Sequence, residues 1–132
     1  MKLLIDTHIL IWAIFETKSL SKRELTYLED PNNTILVSAA SLWEISLKYS
    51  KGNLRMIKCI PAALPTLLVE NGFELIDLTP QETAGSFILP KNRHSDPFDR
   101  MLIWQAIFRQ IPLLTRYESA KEYTNYGLQL AF

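Results

Sequence analysis

A single cysteine, Cys59, in 132 residues leaves no internal disulfide to hold a fold together and no multi-cysteine zinc site, a usage that a reducing compartment permits. An excess of one charge is also missing. Fourteen Lys and Arg are matched by fourteen Asp and Glu, so no overall positive field marks the chain for nucleic acid, and any such binding must come from a local patch. No uncharged apolar run approaches the ~18 residues of a membrane helix. The N-terminus, interrupted early by Asp6 and His8, lacks the basic region, apolar stretch and cleavage site of a secretory leader. Repeats, low-complexity stretches and linkers are absent too. These absences predict one domain over residues 1–132, in the cytoplasm and away from membranes, with 48% hydrophobic content to build a core.

What is present is an alternation of short apolar runs and helical periodicities. Leu3 to Ile5 read as a buried strand, and Ile9, Leu10, Ala13 and Ile14 follow at helical spacing. Ser21 opens a second helix, which Pro31-Asn32-Asn33 ends. Ile35 to Val37 form the next strand, with Ser38 or Ser41 to cap the helix carrying Leu42, Ile45, Leu47 and Tyr49. Pro61 to Glu70 predicts a helix, Phe73 to Ile76 a strand, and Pro80 the start of another helix. Asp96 suits an N-cap with Pro97 in the first helical position, Met101 to Phe108 are apolar nearly all round, and Leu113-Leu114 and Leu128 to Leu130 suggest two last strands. The pattern predicts an α/β fold with a mainly parallel sheet covered on both faces.

Four acids fall where strands give way to helices. Asp6 ends the first strand, Glu44 lies early in the helix after the second, and Asp96 and Asp99 open the helix leading to Leu113. In open parallel sheets the ligand crevice lies beyond the carboxyl ends of the strands, so these side chains can converge there on a hard divalent cation, Mg²⁺ or Mn²⁺. Carboxylates brought together repel unless a cation neutralises them. Such a metal would activate water against a phosphodiester.

Each acid also has an ordinary local use. Asp6 suits the cap of the first helix, Glu44 an exposed helical position, and Asp96 and Asp99 capping and helix-dipole roles. Their joint placement at one edge of one sheet favours a shared function. Thr115, Arg116, Arg100, Arg93 and His94 fall at the same edge and are candidates to meet substrate phosphates. Neither His8 nor His94 has a second histidine at metal-ligand spacing.

Three blocks carry a family resemblance: Leu3-Leu4-Ile5-Asp6-Thr7-His8, Val37 to Ile45 with Trp43-Glu44 near its end, and His94-Ser95-Asp96-Pro97-Phe98-Asp99-Arg100-Met101-Leu102-Ile103. In order and spacing, from Met1 to Phe132, they resemble PIN-domain proteins, and more narrowly the VapC-type ribonuclease toxins of prokaryotic toxin–antitoxin pairs. The resemblance implies a three-layer α/β/α fold with a five-stranded, mainly parallel sheet. It implies Asp6, Glu44 and Asp99 as catalytic and metal-binding acids around Mg²⁺ or Mn²⁺, with Asp96 as an accessory acid. It further implies cleavage of single-stranded RNA, inhibition by a small cognate antitoxin, and a homodimer.

There is one departure. Many members carry an aspartate two residues after the position of Thr115, where this chain has Tyr117. That substitution motivates a rival reading, a catalytically weak PIN-like protein that binds RNA or a partner without cutting. A phosphatase using Asp6 as a phosphorylated nucleophile is a third reading, set back by His8 at the place where such enzymes put a second acid.

Overall fold

The computed structural model describes residues 1–54, 58–91 and 96–132. Strand β1 (Lys2–Ile5) carries the apolar run Leu3–Ile5, and Leu3, Leu4 and Ile5 are fully buried because both faces of the sheet are covered. Beside it lie β2 (Thr34–Ser38), β3 (Glu74–Ile76) and β4 (Leu113–Leu114), in the order β3-β2-β1-β4. Every pairing is parallel, with Leu3 opposite Ile35, Ile5 opposite Leu114 and Val37 opposite Leu75.

Successive side chains of a strand point to opposite faces, and the core divides accordingly. Leu3, Ile5, Ile35 and Val37 pack with Ile9 and Leu10 of α1 (Thr7–Phe15), Ile45 of α3 (Ala39–Ser50), and Leu64 and Leu68 of α4 (Leu64–Glu70). Leu4, Leu36 and Leu113 face the other way, onto Leu102, Ile103 and Ala106 of α6 (Pro97–Arg109) and onto Tyr123. These are the two helical layers of an α/β/α sandwich. Helices α2 (Lys22–Glu29) and α5 (Pro80–Gly85) each begin with a reciprocal capping box, Ser21 with Glu24 and Thr79 with Glu82. Among the described residues no helix is long and apolar enough to cross a membrane.

Three elements depart from expectation. The fifth strand is reduced to one bridge, Leu113 to Leu130. Gly127, at φ 99°, turns the chain just before it, and the Leu128 N–H donates back to the Tyr123 carbonyl at 3.2 Å, so only the segment around Leu130 reaches the two-residue β4. The helix expected from Pro61 is a 3₁₀ turn, Pro61–Ala63, followed by α4, since Pro65 has no N–H with which to continue a ladder from Pro61. Phe73 stays out of β3 because its N–H closes the end of α4 on Leu68, at 3.0 Å, past Gly72 at φ 87°. The segment after β4 winds into a 3₁₀ stretch, Glu118–Tyr126.

A buried polar seam ties the α5 side of the fold to α6. The Glu82 carboxylate is wholly buried and accepts from Arg109 Nε at 2.7 Å, from the Thr79 N–H at 3.0 Å and from Gln105 Nε2 at 3.2 Å. Gln105 is also bonded to Ser38, at the end of β2. Burial opposes the charge on Glu82, but Arg109 and these donors outweigh it and hold its pKa at about 2.

Candidate active site

The acids sit where the strand ends feed the helices. Asp6 follows β1 and caps α1, accepting from the Ile9 N–H at 2.8 Å, and it also receives the Thr115 hydroxyl from the end of β4. It is 1% exposed. Burial pushes its pKa up, the Ile9 and Thr115 hydrogen bonds pull against that, and the charge of Asp99 adds to the rise.

Ser38, rather than Ser41, caps α3, accepting from the Ala40 N–H at 3.0 Å. Ser41 instead receives the Thr7 hydroxyl at 3.0 Å, which fixes the start of α3 against the start of α1. In the second turn of α3, Glu44 is likewise 1% exposed and faces the acids. Its Oε2 receives Lys48 Nζ at 2.5 Å, while its Oε1 is buried without a hydrogen-bond partner.

Asp96 caps α6 through one oxygen, accepting from the Phe98 and Asp99 N–H groups at 2.8 and 3.1 Å. Asp99, in the first turn, is buried. Phe98 packs edge-on against Trp43 at 5.1 Å between ring centres, which draws the first turns of α6 towards Glu44 on α3. The acids are close enough for their fields to overlap. Asp6 feels Asp99, and the Lys48 ammonium feels Glu44, Asp96 and Asp99.

Tyr117 lies among them. A Thr115 oxygen accepts the Tyr117 N–H at 3.1 Å, a local turn that aims the ring inward. The phenol hydrogen-bonds Asp99, and its oxygen lies 3.1 Å from His8 Nδ1. Burial, the bond to Asp99 and the charges of Asp6, Asp99 and Glu44 together drive its pKa far above the usual phenol value, so it stays protonated and can donate.

The basic candidates are engaged elsewhere. Arg100 donates to the Leu89 and Pro90 carbonyls, each at 3.0 Å, and to the Tyr123 hydroxyl at 2.9 Å. Arg116 forks onto Glu24 and the Ser19 carbonyl while stacking 4.3 Å over Trp12. Arg93 and His94 lie outside the described residues. Lys48 is not among the sequence-derived candidates; its spacing of one helical turn from Glu44 is the signal that could have found it.

Chemically, the acids fit a hard cation: the donors are carboxylate oxygens, and Glu44 Oε1 is a buried acceptor with nothing to receive. Among the described residues no three Asp, Glu, His or Cys side chains are gathered so as to hold an ion. Each acid is turned to a donor of the chain instead, Asp6 to Ile9 and Thr115, Glu44 to Lys48, and Asp99 to Tyr117.

The model of the PIN-domain family matches residues 3–124. This chain belongs to the PIN-domain family. Its PIN fold is similar to VapBC2 from Rickettsia felis, solved bound to a DNA fragment from their promoter, at TM-score 0.71 and 24% identity over 98% of this chain and 97% of that one. VapBC-1 from nontypeable Haemophilus influenzae matches at TM-score 0.64 and 18% identity, covering 98% and 96%. VapC20 of Mycobacterium tuberculosis, a sarcin-ricin loop cleaving toxin, matches at TM-score 0.61 and 10% identity over 91% and 93%. Comparison with proteins of curated function finds no match.

Proposed function

We propose that this PIN domain is a divalent-metal-dependent endoribonuclease of the VapC type, the toxin of a toxin–antitoxin pair. The observation that carries the reading is the buried, partnerless Oε1 of Glu44 amid acids whose fields overlap beyond the strand ends. An acceptor so placed is costly unless a cation receives it. Asp6, Glu44 and Asp99 would hold Mg²⁺ or Mn²⁺, with Asp96 as an accessory.

Bound there, the cation supplies Lewis acidity toward a phosphodiester and an attacking water. The chain's own residues do the rest. Thr115 keeps Asp6 oriented through its hydroxyl. A cavity of about 470 Å³, lined by Arg23, Thr115, Tyr117, Lys121 and Phe132 among others, adjoins Tyr117 and offers cations and aromatic faces to a single strand. His94, Arg100 and Arg116 remain candidates for the phosphates, Arg100 and Arg116 only after exchanging their present partners.

A small antitoxin and a second copy of the chain are the proposed partners. The similarity to a toxin-antitoxin complex from Klebsiella pneumoniae, at TM-score 0.58, supports the first. The proposed location is the cytoplasm. A second reading, a PIN domain that binds RNA or a partner without cutting, is favoured by one observation: the phenol of Tyr117 already hydrogen-bonds Asp99.

The deciding experiment incubates the protein with total cellular RNA and Mn²⁺, beside Asp99→Asn and a chelator control, and maps new ends by sequencing. Discrete cuts lost in both controls are expected. No cuts despite measured Mn²⁺ binding would transfer the weight to the non-cutting reading.

A further inference from the structure

Glu44 and Lys48, one turn apart on α3, form a pair of a kind that on most helices is a solvated surface contact of little consequence. Here the carboxylate is 1% exposed, and its second oxygen is buried without a partner. The ammonium is the cation that meets it. Burial works against the charge of Lys48, but the hydrogen bond and charge of Glu44, then the charges of Asp96 and Asp99, outweigh it. Lys48 thus answers to the whole acid cluster and not to Glu44 alone.

The ammonium also has somewhere to go. Lys48 borders a cavity of about 130 Å³ lined by Thr7, His8, Trp12, Glu44 and Leu54 among others, and its side chain is 36% exposed. A lysine carries its charge on a flexible four-carbon stem with three donors, so it can change partners without moving the helix.

We propose that Lys48 is the built-in counter-cation of the acid cluster: it neutralises Glu44 while no divalent cation is bound, yields that carboxylate when one binds, and then offers its ammonium to a phosphate of the substrate strand. The proposal rests on reading the acids as a divalent-cation site. No bond is made or broken in the exchange. A singly charged group held by the chain gives way to a doubly charged ion, and the released ammonium lies beside the place where phosphodiester charge must be met. Because the two cations compete for one carboxylate, Lys48 lowers the apparent metal affinity. It also keeps the metal-free cluster from bearing its repulsion uncompensated.

The test is a Mn²⁺ titration, followed by the paramagnetic resonance of the free ion, on the wild-type chain, Lys48→Met, Lys48→Arg and Glu44→Gln, with thermal melts in the presence and absence of Mn²⁺. Lys48→Met is expected to bind Mn²⁺ more tightly, on the order of tenfold. It should melt below the wild type without Mn²⁺ and recover with it, while its KM for a single-stranded RNA rises. Lys48→Arg, which keeps a cation, should stay close to wild-type affinity. A folded Lys48→Met with unchanged or weaker Mn²⁺ affinity overturns the proposal and leaves the metal site standing. A wild-type chain that binds no Mn²⁺ overturns both. Should Lys48→Met fail to fold, acetylation of Lys48 in the wild type, quantified by mass spectrometry, decides the matter: labelling should rise on adding Mn²⁺, and unchanged or reduced labelling refutes displacement.

Discussion

The Tyr117 phenol hydrogen-bonds the Asp99 carboxylate from within the acid cluster, and its oxygen lies 3.1 Å from His8 Nδ1. A neutral donor therefore stands among carboxylates. Its removal in Tyr117→Phe should cost about 1–3 kcal/mol in the metal-free protein, the penalty for taking a hydrogen bond from a buried charged acceptor. Urea melts at zero and saturating Mn²⁺ check this. The loss should shrink with Mn²⁺, because a cation can satisfy Asp99; an equal loss under both conditions would leave the hydroxyl with a purely architectural role.

The Glu82 carboxyl, with its pKa held at about 2 against an ordinary 4.5, ties stability to acid pH. A carboxyl depressed by folding stabilises the folded state fully above the unfolded pKa. That contribution, about 3 kcal/mol, is lost as pH falls from about 4.5 to about 2. Glu82→Gln should therefore be less stable than the wild type at pH 7, and the gap should narrow steadily below pH 4.5. Chemical denaturation across that range measures it, and a gap independent of pH would sink the argument.

Arg116 was a phosphate candidate by sequence, yet it grips the buried Glu24, whose pKa it lowers, and it lies on Trp12. Arg116→Ala should cost about 1–3 kcal/mol by leaving that carboxylate unmatched. Arg116→Lys should recover only part of the loss, since an ammonium lacks the planar fork that meets both oxygens. If both variants instead melt like the wild type while RNA binding weakens, the guanidinium serves the substrate and not the fold.

Asp6→Asn should separate architecture from chemistry. An asparagine oxygen can still accept from the Ile9 N–H, so α1 keeps its cap. With one buried charge removed from beside Asp99, the metal-free variant should melt no lower than the wild type. Its Mn²⁺ affinity should fall by at least on the order of tenfold. Calorimetry and a metal titration on the same preparation check both halves, and gross unfolding would make Asp6 a structural residue.

Much of this architecture was legible in the chain. Strands β1 and β2 announce themselves as unbroken apolar runs, and Asp96-Pro97 marks the start of α6 through local capping chemistry that needs no tertiary context. The positions of Asp6, Glu44, Asp96 and Asp99 followed from the order of strands and helices. What stayed hidden depends on contacts between distant segments. Nothing near Arg116 betrays that Glu24 will claim it, and nothing near Arg100 that the Leu89 and Pro90 carbonyls will. The fate of the last strand turned on the bend at Gly127, a matter of backbone direction and not of composition. Tyr117 was visible as a departure from the family pattern, but its bond to Asp99 was not.

The order β3-β2-β1-β4 places β1 inside the sheet, with the Leu4 N–H donating to Pro112 at 2.9 Å and the Asp6 N–H to Leu114 at 3.2 Å. Strands unzip from their margins, and β1 has a neighbour on each side. The carboxylate that ends it is anchored to an interior strand, which opens to solvent less readily than the sheet's edges, while Lys48 and Tyr117 reach in from a helix end and a loop. The site thus combines a stationary half, which keeps its position through the breathing of the domain, with an adjustable half that can respond to whatever enters.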